Sequence, residues 1–128
     1  MLEPKFFRCK HCGNLVGLIE DHGVPLICCG EKMEQLIANT VEASKDKHLP
    51  YVEIGGDTVT VQVGIEPHPM TEKHLIEWVY LETVKGGQRK RLTVEQNEVP
   101  VVEFKVIDDL PVAAYAYCNL HGLWKTGI

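Results

Sequence analysis

No apolar run in this 128-residue chain approaches the ~20 residues that a helix needs to cross a bilayer. Met1 to Lys5 lacks the apolar stretch of a signal peptide, so a cytoplasmic setting is expected. Positive charge is also scarce: 13 Lys and Arg stand against 18 Asp and Glu, for a net charge of −5. That balance argues against broad nucleic-acid binding, which depends on phosphate neutralisation. The one dense basic run, Gln88-Arg89-Lys90-Arg91, follows Gly86-Gly87 and reads as a solvated hairpin. There are no internal repeats and no low-complexity tracts. The length fits one ordinary domain, or a small domain joined to a medium one.

Cysteine is sparse too, with five residues, but four of them cluster. Cys9 and Cys12 form a C-x-x-C pair, and fifteen residues later come Cys28 and Cys29. In a reducing compartment such a cluster indicates metal or redox chemistry rather than disulfides. Four thiolates suit tetrahedral zinc or a single iron, and the spacing does not choose between them. A zinc knuckle that only holds the fold, or a vicinal disulfide, would use the same residues. Adjacent side chains diverge, so Cys28 and Cys29 can chelate one ion only with local backbone strain. Gly13 and Gly30 follow the two pairs and allow the necessary bends. His11 and His22 are expected to face solvent. A segment of ~40 residues has too little core to stand without such a staple.

Asn39 to Lys47 is expected to form one or two helical turns capped by Asn39 or Thr40. From Leu49 the pattern is β. Val59, Val61 and Val63 alternate with polar residues after the hairpin signal Gly55-Gly56-Asp57. Leu75 to Val84 is expected to set Ile76, Trp78 and Tyr80 on one side and Val79 and Leu81 on the other. Gly86-Gly87 is expected to turn it back toward Arg89 to Val94. Further strands are expected at Val101 to Ile107, Val112 to Tyr117 and Leu123 to Thr126. About seven short strands at regular spacing predict an antiparallel, immunoglobulin-like β-sandwich. The fold class is therefore all-β, a small metal knuckle (1–37) followed by the sandwich (38–128).

The four remaining histidines, His48, His68, His74 and His121, all fall on expected loops or strand ends, where a scaffold can aim them at one point. His68 lies between Pro67 and Pro69, which restrict its backbone. Cys118 and His121 form a C-x-x-H pair. Four imidazoles and one thiolate exceed the usual complement of zinc or blue copper. Five donors fit octahedral iron with one open position. A thiolate pushes electron density toward whatever binds opposite it, which suits reduction of a small oxygen species.

Cys9-Lys10-His11-Cys12-Gly13-Asn14, Cys28-Cys29, Lys47-His48, His68-Pro69-Met70, Glu72-Lys73-His74 and Cys118-Asn119-Leu120-His121-Gly122-Leu123-Trp124-Lys125 stand in this order. Together they closely resemble desulfoferrodoxin, the two-iron superoxide reductase family, over almost the whole chain. The resemblance implies a desulforedoxin-like first domain with iron on Cys9, Cys12, Cys28 and Cys29. It implies a second, catalytic iron on His48, His68, His74 and His121, with Cys118 as axial thiolate. It also implies one-electron reduction of superoxide to hydrogen peroxide without dioxygen release, a homodimer, a cytoplasmic setting and a rubredoxin-like electron donor. Lys47 would supply the local positive charge that a net-negative protein otherwise lacks for an anionic substrate. The family usually carries a glutamate where this chain has Asp46, and aspartate is one methylene shorter, which puts the glutamate's role as a ligand of oxidised iron in doubt. The competing readings are a non-catalytic iron electron carrier and a zinc-binding interaction module.

Overall fold

Residues 3–128 are described by a computed structural model, and the chain divides into two units, 1–37 and 38–128. In the first unit, β1 (Lys5–Arg8) pairs antiparallel with β2 (Leu15–Leu18), and Phe6 stands opposite Gly17. A Cβ on Gly17 would come 3.5 Å from the Phe6 ring, an ordinary packing contact. β3 (Ile27–Cys28) and β4 (Glu31–Lys32) form a two-stranded hairpin, and β5 (Glu34–Gln35) pairs with the other edge of β1. With such short strands, few side chains in this unit are buried.

The second unit is a sandwich of two antiparallel sheets. One has the order β10-β7-β6, from β6 (Pro50–Gly55), β7 (Thr58–Val63) and β10 (Val101–Lys105). The other has the order β12-β11-β8-β9, from β8 (Ile76–Thr83), β9 (Gly86–Arg91), β11 (Pro111–Cys118) and β12 (Gly122–Gly127). The alternation of β7 does what its pattern predicts: Val59, Val61 and Val63 are buried and meet Val102 and Phe104 of β10. Ile76, Val79, Leu81, Ala114, Ala116 and Cys118 close the core from the other sheet.

Three local expectations are corrected. The helical segment is a single turn, α1 (Lys45–His48), with Ser44 at its N-cap and no side-chain cap bond. Asn39 does not cap it. It sits at φ 63° and its amide pairs with the edge of β12, donating to Lys125 O at 3.1 Å and accepting from Lys125 N at 2.9 Å. Ile76 does not share a face with Trp78: a register shift between Tyr117 and Cys118 in the β11–β8 pairing sends it into the core beside Val79 and Leu81. The β8–β9 turn falls at Val84 and Lys85, leaving Gly86 and Gly87 inside β9, where the Tyr80 ring occupies the space of a Gly87 side chain. Among the described residues, no helix is long and apolar enough to cross a membrane.

Candidate metal centres

Cys9, Cys12, Cys28 and Cys29 converge in the first unit, with all four sulfurs within 4.8 Å of one another. Cys9 is buried, Cys28 half-buried, and Cys12 and Cys29 exposed. Cys12 Sγ and Cys28 Sγ lie 3.6 Å apart. Main-chain amides aim at the cluster, from Cys12 N to Cys9 Sγ and from Asn14 N to Cys12 Sγ, both at 3.5 Å. The amide of Cys12 is the main reason the Cys9 thiol is held down to about 6. Cys29 is pushed up to about 12, chiefly by its hydrogen bonding with Cys12. Four sulfurs this close cannot all ionise without mutual repulsion, and a cation resolves that conflict by replacing the shared protons. The adjacent pair carries the strain its spacing implies, because Cys29 adopts φ 52° in the left-handed region. His11 and His22 are exposed and lie within hydrogen-bonding distance of the Glu31 and Glu20 carboxylates, away from ligand positions.

In the second unit, four loops or ends contribute to one cluster. His48 closes α1, His68 lies in the loop after β7, His74 precedes β8, and Cys118 and His121 flank the β11–β12 turn. The ligand atoms of His48, His74, Cys118 and His121 all lie within 4.8 Å of one another. His68 joins this four through Cys118, with Nε2 3.3 Å from Sγ, and its ring stands 4.8 Å from His48 and 4.5 Å from His74.

Main-chain carbonyls fix how the rings present themselves. Ser44 O lies 2.6 Å from His48 Nδ1, and Pro69 O lies 2.7 Å from His68 Nδ1. A carbonyl only accepts, so both Nδ1 atoms carry the proton and both Nε2 atoms keep a lone pair. His121 turns its other nitrogen inward: Nδ1 is 3.0 Å from His48 Nε2 and 3.8 Å from Cys118 Sγ. His74 Nε2 is buried with no hydrogen-bond partner, the one such side-chain atom among the described residues. Leaving a polar atom in that state costs about 1–3 kcal/mol, and a cation at the centre of the cluster would remove the cost. Burial lowers His48 and His74 and takes His68 to about 4, while it raises the Cys118 thiol. Neutral imidazoles with converging lone pairs are what a metal requires of histidine. The donor set fits a transition metal such as iron.

Lys47 is exposed beside His48, and its charge is one of the smaller influences, after burial and the other histidines, that lower His48 and His74. Asp46 is also exposed. Two supporting residues carry no ligand pattern. The Trp124 ring stacks on His48 at 4.9 Å and 29°, and its Nε1 donates to His121 O at 3.1 Å. Asn119 accepts from Leu75 N at 3.0 Å and donates to Lys73 O at 2.9 Å, tying the His74 flank to the Cys118 turn. Both stand in the Cys118-to-Lys125 block that carries the family resemblance, but nothing in their residue type announces these roles.

The sequence model described as Desulfoferrodoxin matches residues 40–127, and that described as Desulfoferrodoxin, N-terminal domain, matches residues 3–36. The chain is 40% identical over 121 residues to a desulfoferrodoxin homolog of Archaeoglobus fulgidus, covering 94% of each. Among solved structures it resembles the superoxide reductase of Treponema pallidum, with TM-score 0.81 and 40% identity, over 98% of this chain and 99% of that one. A one-iron superoxide reductase from Giardia intestinalis matches 66% of this chain and 98% of its own, with TM-score 0.55 and 32% identity.

Proposed function

The chain belongs to the desulfoferrodoxin family, and from that premise we propose that it is a superoxide reductase, an oxidoreductase that converts superoxide to hydrogen peroxide without releasing dioxygen. The observation that carries the reading is the convergence of His48, His74, His121 and Cys118, with His68 against the sulfur. Held by these five residues, iron would supply the single electron that superoxide takes up. A second iron would be held by Cys9, Cys12, Cys28 and Cys29 and would store or relay electrons.

The chain's own residues do the rest. Buried Cys118 would give up its proton to a bound metal and serve it as a thiolate, a strong electron donor. His48 and His68 keep their Nε2 atoms free of protons because Ser44 O and Pro69 O hold the Nδ1 protons. Lys47 draws the anionic substrate against the net charge of −5 and stabilises the negative charge that develops on it. Its ammonium also orders the water through which solvent protons reach the product. Asp46 sits one residue away and is exposed, with a side chain one methylene shorter than the glutamate usual there, and its part in the oxidised centre is what the Asp46→Ala spectrum reads. Family resemblance further supports a rubredoxin-like electron donor, a homodimer and a cytoplasmic setting.

Metal analysis combined with visible absorption in both oxidation states tests the assignment. Two irons per chain, with a thiolate-to-iron band that responds to superoxide, is the expected result. Stoichiometric zinc and a colourless protein would instead make the chain an interaction module. Iron that reacts with neither azide nor cyanide would make it an electron carrier.

A further inference from the structure

Gly64 follows β7 and opens the loop that leads to His68. It is buried and sits at φ 85°, in the left-handed region that favours glycine. Its amide donates to Leu49 O at 2.9 Å, and the amide of Glu66 donates to Asp46 O at 3.1 Å. These two bonds bracket Lys47 and His48. Between them the Lys47 carbonyl lies against the bare Cα of Gly64. A Cβ there would fall 2.7 Å from Lys47 O and 2.9 Å from its carbonyl carbon, and closer still to Glu66 O. All three are main-chain atoms, so no side-chain rotation relieves the contact. The same corner holds His68, whose amide donates to Val63 O at 3.0 Å.

We propose that Gly64 is a positioning residue for the histidine–cysteine centre: its missing side chain sets the spacing between the turn that carries Lys47 and His48 and the loop that carries His68. The proposal rests on the reading of this cluster as a metal centre. A methyl group at residue 64 collides both with Glu66 O in its own loop and with the Lys47 carbonyl, so the loop is distorted and pushed from the turn. His48 and His68 then no longer converge, and Lys47 shifts with His48. The turn between β6 and β7 supplies a matched comparison. Gly56 also has a positive φ, 60°, but nothing lies within 4 Å of its would-be Cβ. Gly56→Ala therefore carries backbone strain without the collision.

Metal-stripped full-length protein is titrated with Co2+ alone, and the visible bands separate four-thiolate from mixed nitrogen–sulfur coordination. Gly64→Ala is expected to weaken cobalt binding at the mixed centre by about 10–100-fold, as loss of support around metal ligands does, and to shift its bands. The four-thiolate centre should bind as before. Gly56→Ala should leave both affinities in place and lower only the melting temperature. Unchanged mixed-site binding in Gly64→Ala overturns the proposal, as does an equal loss in Gly56→Ala. Absence of nitrogen–sulfur bands in the unaltered chain overturns the metal reading and this proposal with it. Should Gly64→Ala fail to fold, amide exchange in the unaltered protein decides: protection of the Gly64 and Glu66 amides to the level of β7 supports the proposal, and exchange at the rate of an exposed loop overturns it.

Discussion

On the proposed reading, Lys47 supplies attraction and Cys118 electron donation at the second centre, and each role has its own observable. Lys47→Ile is expected to slow the reaction with superoxide and to flatten its dependence on ionic strength, because the steering charge is gone. Pulse-generated superoxide at several salt concentrations measures both. Cys118→Ser is expected to abolish the thiolate-to-iron absorption band, since a hydroxyl is a far poorer donor. Asp46→Ala should leave the spectrum of the oxidised protein nearly unaltered if the aspartate is too short to ligate. Protonation gives a further handle. In metal-free protein His68 is held near 4 against an ordinary 6.5, so the folded state binds fewer protons than the unfolded one as pH falls between those values. Stability is full above 6.5 and declines toward 4, which urea midpoints across that range would record. At this scale the site was legible from the sequence because thiols and imidazoles at chelating spacings carry their chemistry in their type. The roles of Trp124 and Asn119 are not, although both fall in the block that carries the family resemblance, since an indole stacked on a ligand or an amide bridging two loops looks in sequence like any other core or turn residue.

Strand register is where the pattern stopped being informative. Alternation marked β7 correctly because both neighbours of that strand pair in unbroken register. The alternating pattern misplaces Ile76 because β8 carries an extra residue there: Tyr117 opposes Trp78 and Cys118 opposes Ile76, so Glu77 is left over and the side-chain alternation slips. Of the two glycines after β8, Gly87 marks room for Tyr80 rather than the turn. The bulge has an energetic signature. Ile76 is fully buried, so Ile76→Ala is expected to cost about 2–5 kcal/mol, comparable to Leu81→Ala, whereas a residue on an outer face would cost much less. Chemical denaturation of the two variants side by side makes the comparison.

Across the chain, the two units draw on different sources of stability. The sandwich has a continuous core from both sheets, while the first unit relies on short strands and four converging thiols. Chelation should therefore disorder residues 3–37 and leave the β-sandwich folded, because metal binding in such small units is itself folding free energy. Amide spectra before and after treatment with a chelator would show loss of dispersion confined to the first unit. Simultaneous collapse of both would contradict that division.

The proton placement on His48 and His68 depends on oxygen atoms of Ser44 and Pro69 that belong to the peptide link itself. Every amino acid at residue 44 brings the same oxygen, so codon changes there cannot delete it. Drift at that position is silent for the imidazole tautomer as long as the path of the chain is kept, which a carboxylate partner would never allow.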